Sequence, residues 1–223
     1  IPEALSSIVT IVLAMGTQKM AKQNAIMKDL KAVESLGAVS VICSDKTGTL
    51  TQNRMTVQKI YADGKLLEGK DLELANTPQR LLLKIGLLAS DATYDPADGS
   101  SIGDPTEVAL LQLADAFDVE EELYRQYHPR LRELAFDSDR KLMSTLHQLD
   151  GVPTLLTKGA IDVLLGRSTR LLTSEGPVPI TEERRAEIMA VNEQLSNEGL
   201  RVLAFAQKEM DGIRDLTLED ENG

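Results

Sequence analysis

The chain has 223 residues, with 24 Lys and Arg against 35 Asp and Glu, a formal charge of −11. That balance excludes a broadly basic surface for nucleic acid or anionic lipid, while leaving room for a local basic pocket. Aromatics are 3% and Trp is absent, which excludes an extended base-stacking platform.

Hydrophobic residues make up 42%, enough for a packed core, and the length suits one large domain or a domain with an appendage. Cys43 is the single cysteine, so no internal disulfide forms, in keeping with a reducing compartment. The chain opens on Ile1 with no basic stretch before its apolar start and stops at Glu219-Asp220-Glu221-Asn222-Gly223. The expectation is a piece of a longer protein without a signal peptide.

Residues 1–15 are apolar apart from Glu3 and some hydroxyls, and Lys19, Lys22, Lys28 and Lys31 follow. Fifteen residues fall short of a full span, which needs about 20, but they suit the last half of one, with cytoplasmic positive charge after it. A buried helix of a soluble domain fits equally. Residues 38–44 form a nearly continuous apolar run, which predicts a strand buried on both faces. A polar turn centred on Gly48 comes next. Residues 57–62 and 65–67 flank Asp63-Gly64, and 142–149 and 154–157 flank Asp150-Gly151, two predicted hairpins. Residues 131–136 and 201–207 are further strand candidates.

Helices are predicted between these strands. Thr77 as cap and Pro78 open one over 79–89. Asp104-Pro105-Thr106-Glu107 opens another through Phe117, with Glu107 closing a capping box. Thr181 caps 182–197, with Ile188, Val191 and Leu195 on one face and Gly199 at the stop. Glu120-Glu121-Glu122 and Glu182-Glu183 read as solvated helix starts. The pattern predicts an α+β domain with a central antiparallel sheet flanked by helices. His128 and His147 lack metal-ligand spacing, so no zinc site is expected.

The chemistry concentrates at Asp45, at the carboxyl end of the predicted strand, where open α/β sheets place ligands. A carboxylate attacks a phosphoryl group to give an aspartyl phosphate. Gly48 lets backbone turn around a phosphate, Thr47 and Thr49 offer hydroxyl and amide donors, and Lys46 adds positive charge. The whole string, Cys43-Ser44-Asp45-Lys46-Thr47-Gly48-Thr49-Leu50-Thr51, resembles the phosphorylation motif of P-type cation-transporting ATPases.

The resemblance extends along the chain. Ile1-Pro2-Glu3-Ala4-Leu5 resembles the segment that breaks the fourth transmembrane helix of calcium-type pumps, which implies Glu3 as a ligand of the transported cation. Ala4 and Ser6 depart from the usual Gly and Pro. Phe136-Asp137-Ser138-Asp139-Arg140-Lys141 resembles the segment whose Phe stacks on adenine with its Lys nearby. Ser138 stands where many pumps have a basic residue. Lys158-Gly159-Ala160, Gly199-Leu200-Arg201 and Gly103-Asp104-Pro105-Thr106-Glu107 resemble further nucleotide-pocket segments. Read alone, Phe136 is core, Lys158-Gly159 is a turn and Glu107 is a capping residue.

The resemblance implies ATP on Glu107, Phe136, Lys141, Lys158, Gly159 and Arg201, with Lys141, Lys158 and Arg201 making the pocket basic. It implies Mg²⁺ at Asp45 and Thr47. The implied division is 1–24 as the cytoplasmic end of a transmembrane helix and stalk, and 25–56 as the start of a Rossmann-like (haloacid-dehalogenase-like) phosphorylation domain. Residues 57–223 are then the nucleotide-binding domain, short of its last strand. The chain is thus expected to be the cytoplasmic portion of an integral membrane cation pump, with ATP, a transported cation, expected to be Ca²⁺, and the membrane as partners, and no nucleic acid. A soluble haloacid-dehalogenase-like phosphatase is the competing class. Those enzymes carry a second Asp as general acid where this chain has Thr47. A non-catalytic nucleotide-binding module is the third reading, for the chain in isolation.

Overall fold

A computed structural model describes residues 4–223; Glu3 and its expected cation role lie outside the described residues. The chain divides into two compact units, Ile1–Gln52 and Asn53–Gly223. Met55 belongs with the second unit. Its sulfur accepts from the Thr106 hydroxyl at 3.4 Å.

The first unit begins with α1 (Ala4–Ala21), none of whose residues is buried. Leu5, Ile8, Val9, Ile11, Val12 and Met15 all face outward. With 18 residues and a mean hydropathy of 1.3, α1 is long and apolar enough to cross a membrane. The Thr10 and Thr17 hydroxyls donate to Ser6 O (2.9 Å) and Leu13 O (2.8 Å), satisfying themselves on their own helix. A second helix, α2 (Leu30–Gly37), follows.

Residues 38–44 do not form the expected strand. A strand buried on both faces needs neighbours to complete its ladder and cover its side chains. Among the described residues none lies beside it, and Val41 and Ile42 are 74% and 85% exposed. The apolar run predicted burial, and these residues are exposed instead.

The second unit opens with the hairpin β1 (Lys59–Ala62) and β2 (Lys65–Glu68), paired Ile60↔Leu67 and Ala62↔Lys65. Asp63 and Gly64 both have positive φ (55° and 70°), the left-handed pair that a two-residue loop demands. Helix α3 (Thr77–Leu88) is capped by Asn76, whose side chain accepts from Gln79 N at 3.1 Å. Thr77 lies inside the helix, so the cap falls one residue before the expected position. The short pair β3 (Thr93–Tyr94) and β4 (Ser101–Ile102) leads to α4 (Pro105–Asp115) and α5 (Glu121–Tyr127).

A meander of β5 (Arg132–Asp137), β6 (Leu142–Leu149) and β7 (Val152–Gly159) comes next, turning at Asp150-Gly151. Then come α6 (Ile161–Arg167), the hairpin β8 (Arg170–Thr173) and β9 (Gly176–Pro179), α7 (Glu182–Asn197) and β10 (Ala204–Glu209). Thr181 caps α7, accepting from Arg184 N at 3.3 Å, and Gly199 ends it at φ 78°. β10 starts at Ala204 rather than at 201 because its partner β7 ends at Gly159, opposite Ala204.

The central sheet runs β10-β7-β6-β5, antiparallel throughout. The unit is therefore mixed helix and sheet, as expected. Leu149 and Leu156 join Leu87, Leu88, Leu111 and Ala114 of α3 and α4 in the main core. Leu146 and Leu155, of opposite parity, form a smaller cluster on the other face with Met210, Leu131 and Leu216. Apolar cover on both sides explains why β6 is buried almost throughout.

Candidate functional site

The site residues of the second unit gather at the end of the sheet where β5 turns into β6. The register there is broken. Leu134 lies opposite Ser144 and Asp137 opposite Leu142, so three residues of β5 span two of β6. This extra residue is a β-bulge. Directly opposed residues share a face, and Leu142 and Ser144 share one with each other. Asp137 therefore points with Leu134, and Phe136 points the other way, with Met143. Without the bulge Phe136 would project from the face of Ser144. With it, the ring stands 61% exposed beside the row Phe205–Lys158–Met143 of directly paired residues.

The turn after Phe136 is tightly built. Asp137 Oδ1 accepts from Asp139 N (3.1 Å) and Arg140 N (2.8 Å), and Lys141 N donates to Asp137 O at 2.7 Å. Lys141 takes positive φ (58°), and its ammonium is solvent-facing, 3.6 Å from Asp162 of α6. Gly159 stands against the same turn. A Cβ there would lie 2.2 Å from Lys141 O. Only Gly fits at this position.

Lys158 is 5% exposed. Its ammonium donates to Glu107 Oε1 at 2.5 Å and Ser90 Oγ at 3.2 Å. Burial pushes its pKa down from the ordinary lysine value, while Glu107 pulls the other way. The positive charge of Lys158 is therefore already matched, and Lys141 and Arg201 are the expected basic residues left facing solvent. Glu107 is not the capping-box residue expected of it. Its Oε2 accepts from Asp91 N (2.8 Å) and Ala92 N (2.9 Å), and the α4 cap is Asp104 alone, accepting from Thr106 N at 2.8 Å. Arg201 reaches the same helix start, its Nη1 lying 3.4 Å from Thr106 Oγ1.

Sequence reasoning missed what braces this corner. Arg125 Nη2 donates to Ser90 O and Ala92 O, both at 3.0 Å. Arg130 Nη2 donates to Ser90 O at 2.9 Å and its Nη1 pairs with Asp91 at 2.6 Å. With Glu107 these two arginines fix residues 90–92, the loop that holds Ser90 against Lys158. Nothing local marks their hold on this loop, because residues 90–92 lie more than 30 positions from either arginine. Glu121, expected to be solvated, pairs with Arg125 (3.0 Å) and accepts from Tyr94 N (3.2 Å). His147 is buried with its Nδ1 2.9 Å from His128 O, and burial drops its pKa to about 4.

Asp45, Lys46, Thr47 and Thr49 belong to the first unit. Asp45 Oδ1 accepts from Lys46 N at 2.7 Å, Thr51 N donates to Lys46 O at 3.1 Å, and Gly48 takes φ 77°. The carboxylate heads an exposed turn. It offers a hard oxygen ligand with Thr47 two residues on, which fits Mg²⁺, an ion that keeps few protein ligands and takes others from phosphate and water.

An exposed aromatic, a buried Lys–Glu pair and two solvent-facing cations at one sheet end suit a nucleotide. Residues 79–220 match the family model described as P-type ATPase, cytoplasmic domain N. The chain belongs to the P-type ATPases.

Among curated relatives, calcium-transporting ATPase 1 of Bacillus cereus is 48% identical over 209 residues, covering 94% of this chain and 23% of the relative. Calcium-transporting ATPase 1 of Lactococcus lactis is 47% identical, covering 100% and 25%. Cation-transporting ATPase pma1 of Synechocystis is 40% identical, covering 93% and 25%. The chain thus spans about a quarter of the length of these relatives.

Proposed function

We propose that this chain is the ATP-binding and phosphoryl-accepting portion of a membrane pump that moves Ca²⁺ at the expense of ATP. The observation that carries the reading is the β5 bulge. It turns Phe136 out of the sheet onto the face of Lys158, where an exposed ring has no structural use and an adenine would cover it. Glu107 and Lys158, already paired, are suited to the adenine edge as acceptor and donor. Lys141 and Arg201 supply the positive charge for the phosphates.

The chemistry balances simply. A carboxylate oxygen of Asp45 attacks the γ-phosphorus of ATP in line, an O–P bond forms, the β–γ bridge bond breaks, and ADP leaves. Lys46 and the Thr47 and Thr49 donors stabilise charge on the transferring group. When bound at Asp45 and Thr47, Mg²⁺ neutralises phosphate charge. Thr47 cannot deliver the proton that a second Asp would, so the aspartyl phosphate persists. This is the reason for preferring a pump to a haloacid-dehalogenase-like phosphatase, with residues 25–56 as the start of a Rossmann-like phosphorylation domain. Residues 1–24 are read as the cytoplasmic end of a membrane helix, supported by the unburied apolar surface of α1, and Glu3 as a ligand of the cation. Calcium itself rests on what the relatives are called.

The test uses membrane vesicles carrying the full-length protein that contains this chain. ATP-driven ⁴⁵Ca uptake and an acid-stable phosphoenzyme are expected, and Asp45→Asn should abolish both while ATP still binds. Uptake that survives Asp45→Asn would contradict the reading.

A further inference from the structure

Glu221 lies one residue beyond the stretch that the family model matches and outside every motif of the sequence. Its side chain is nonetheless completely buried. The carboxylate accepts from the guanidinium of Arg140, from Arg167 Nη1 at 3.1 Å and from Ser144 Oγ at 2.6 Å. Ser144 is in turn bonded to Thr157 Oγ1 of β7 at 2.9 Å. A carboxylate with two guanidiniums and a hydroxyl is fully satisfied, so the burial is stable, and removing either side leaves charge stranded.

The position of Arg140 gives this cluster its meaning. Arg140 belongs to the turn between Phe136 and Lys141. Its other guanidinium nitrogen donates to Ala135 O, inside the bulge. Phe136 projects from the Lys158 face of the sheet. Glu221 meets Ser144, which with its partner Thr157 belongs to the opposite face. The carboxylate therefore grips, from behind the sheet, the arginine that ties the bulge to the turn. The other wall of the corner is tied to the same place. Arg167 ends α6, whose Asp162 meets Lys141, and Gly223 N donates to Arg167 O at 2.9 Å.

From this we infer that Glu221 is a positioning residue for the nucleotide site, holding Phe136 and Lys141 in register through Arg140 without touching the ligand. The inference rests on the reading of Phe136 and Lys141 as nucleotide contacts. By linkage, ATP bound at that turn also favours the pairing of Arg140 with Glu221.

The test is calorimetric titration of the 223-residue chain with ATP, paired with thermal unfolding of each variant. Glu221→Gln and Arg140→Ala are expected to weaken ATP by about tenfold, a typical coupling between linked sites. Glu221→Gln should cause no further loss in the Arg140→Ala background. Arg167→Ala takes a donor from the same carboxylate but not from the turn, so it should lower the unfolding midpoint while leaving affinity within about twofold. Arg140→Ala leaves Glu221 with Arg167 and Ser144, which keeps the test alive if Glu221→Gln does not fold.

Wild-type affinity in folded Arg140→Ala would overturn the inference. So would a loss in Arg167→Ala that matches the loss in Arg140→Ala. Phe136→Ala is the control. If ATP affinity ignores that change, the site reading falls and takes this inference with it. If affinity depends on Phe136 but ignores Arg140 and Glu221, this inference falls alone.

Discussion

Residues 4–52 and residues 53–223 carry their information in opposite ways. The first stretch holds the most specific string in the chain, the nine residues around Asp45, and buries no residue of α1 or of the Asp45 turn. The second holds looser motifs, each readable as an ordinary turn or cap, yet it contains the core and brings those motifs to one sheet end. A dense motif therefore says what chemistry is intended without saying that the local fold is self-sufficient. Diffuse motifs gain meaning only when tertiary structure assembles them.

Stability should separate the two stretches most sharply. Leu156 is fully buried in the main core. Leu156→Ala is expected to cost about 2–5 kcal/mol in chemical denaturation, whereas Ile42→Ala should stay within about 0.5 kcal/mol. Equal costs would break the comparison.

Acid should act through the second unit. His147 is buried neutral with its pKa near 4 in the folded state, below the ordinary value of 6.5. The unfolded chain then binds the proton that the folded one refuses. Stability at neutral pH is therefore lost as pH falls from 6.5 toward 4, by about 3 kcal/mol from this group. Denaturation midpoints of His147→Gln across that window should show a shallower pH slope, and an unchanged slope would contradict the assignment.

A smaller effect is expected at Gly159. An added methyl meets the Lys141 carbonyl, so Gly159→Ala should cost about 1–3 kcal/mol and shift the amide resonances of 137–141. A neutral change would mean that the β5–β6 turn is not packed on Gly159.

Much of the second unit was legible because its determinants are local. Asp63-Gly64 and Asp150-Gly151 announce hairpins through their need for positive φ, and Thr181 and Gly199 bracket α7 by their own chemistry. Where two local signals competed, the reading slipped, as with Asn76 beside Thr77. Non-local features were not legible. The apolar run 38–44 could not name its partners. The β5 bulge is a property of two strands in register. Glu107 satisfies all the sequence rules of a capping box, yet its carboxylate goes to a loop 15 positions upstream and a lysine 51 positions downstream. The candidate site residues could be enumerated from motifs. The pairing that leaves Lys141 and Arg201 as the solvent-facing cations required the fold.

The central claim is that ATP meets this chain at the exposed face of Phe136. NMR titration of the 223-residue chain with ATP, following the Phe136 ring resonances, tests it most directly. Saturable shifts centred on Phe136 and Lys141 are predicted, with Phe136→Ala weakening binding by about 10- to 100-fold, as loss of a stacking partner should. Saturable ATP binding that leaves the Phe136 ring unshifted and survives Phe136→Ala would contradict it.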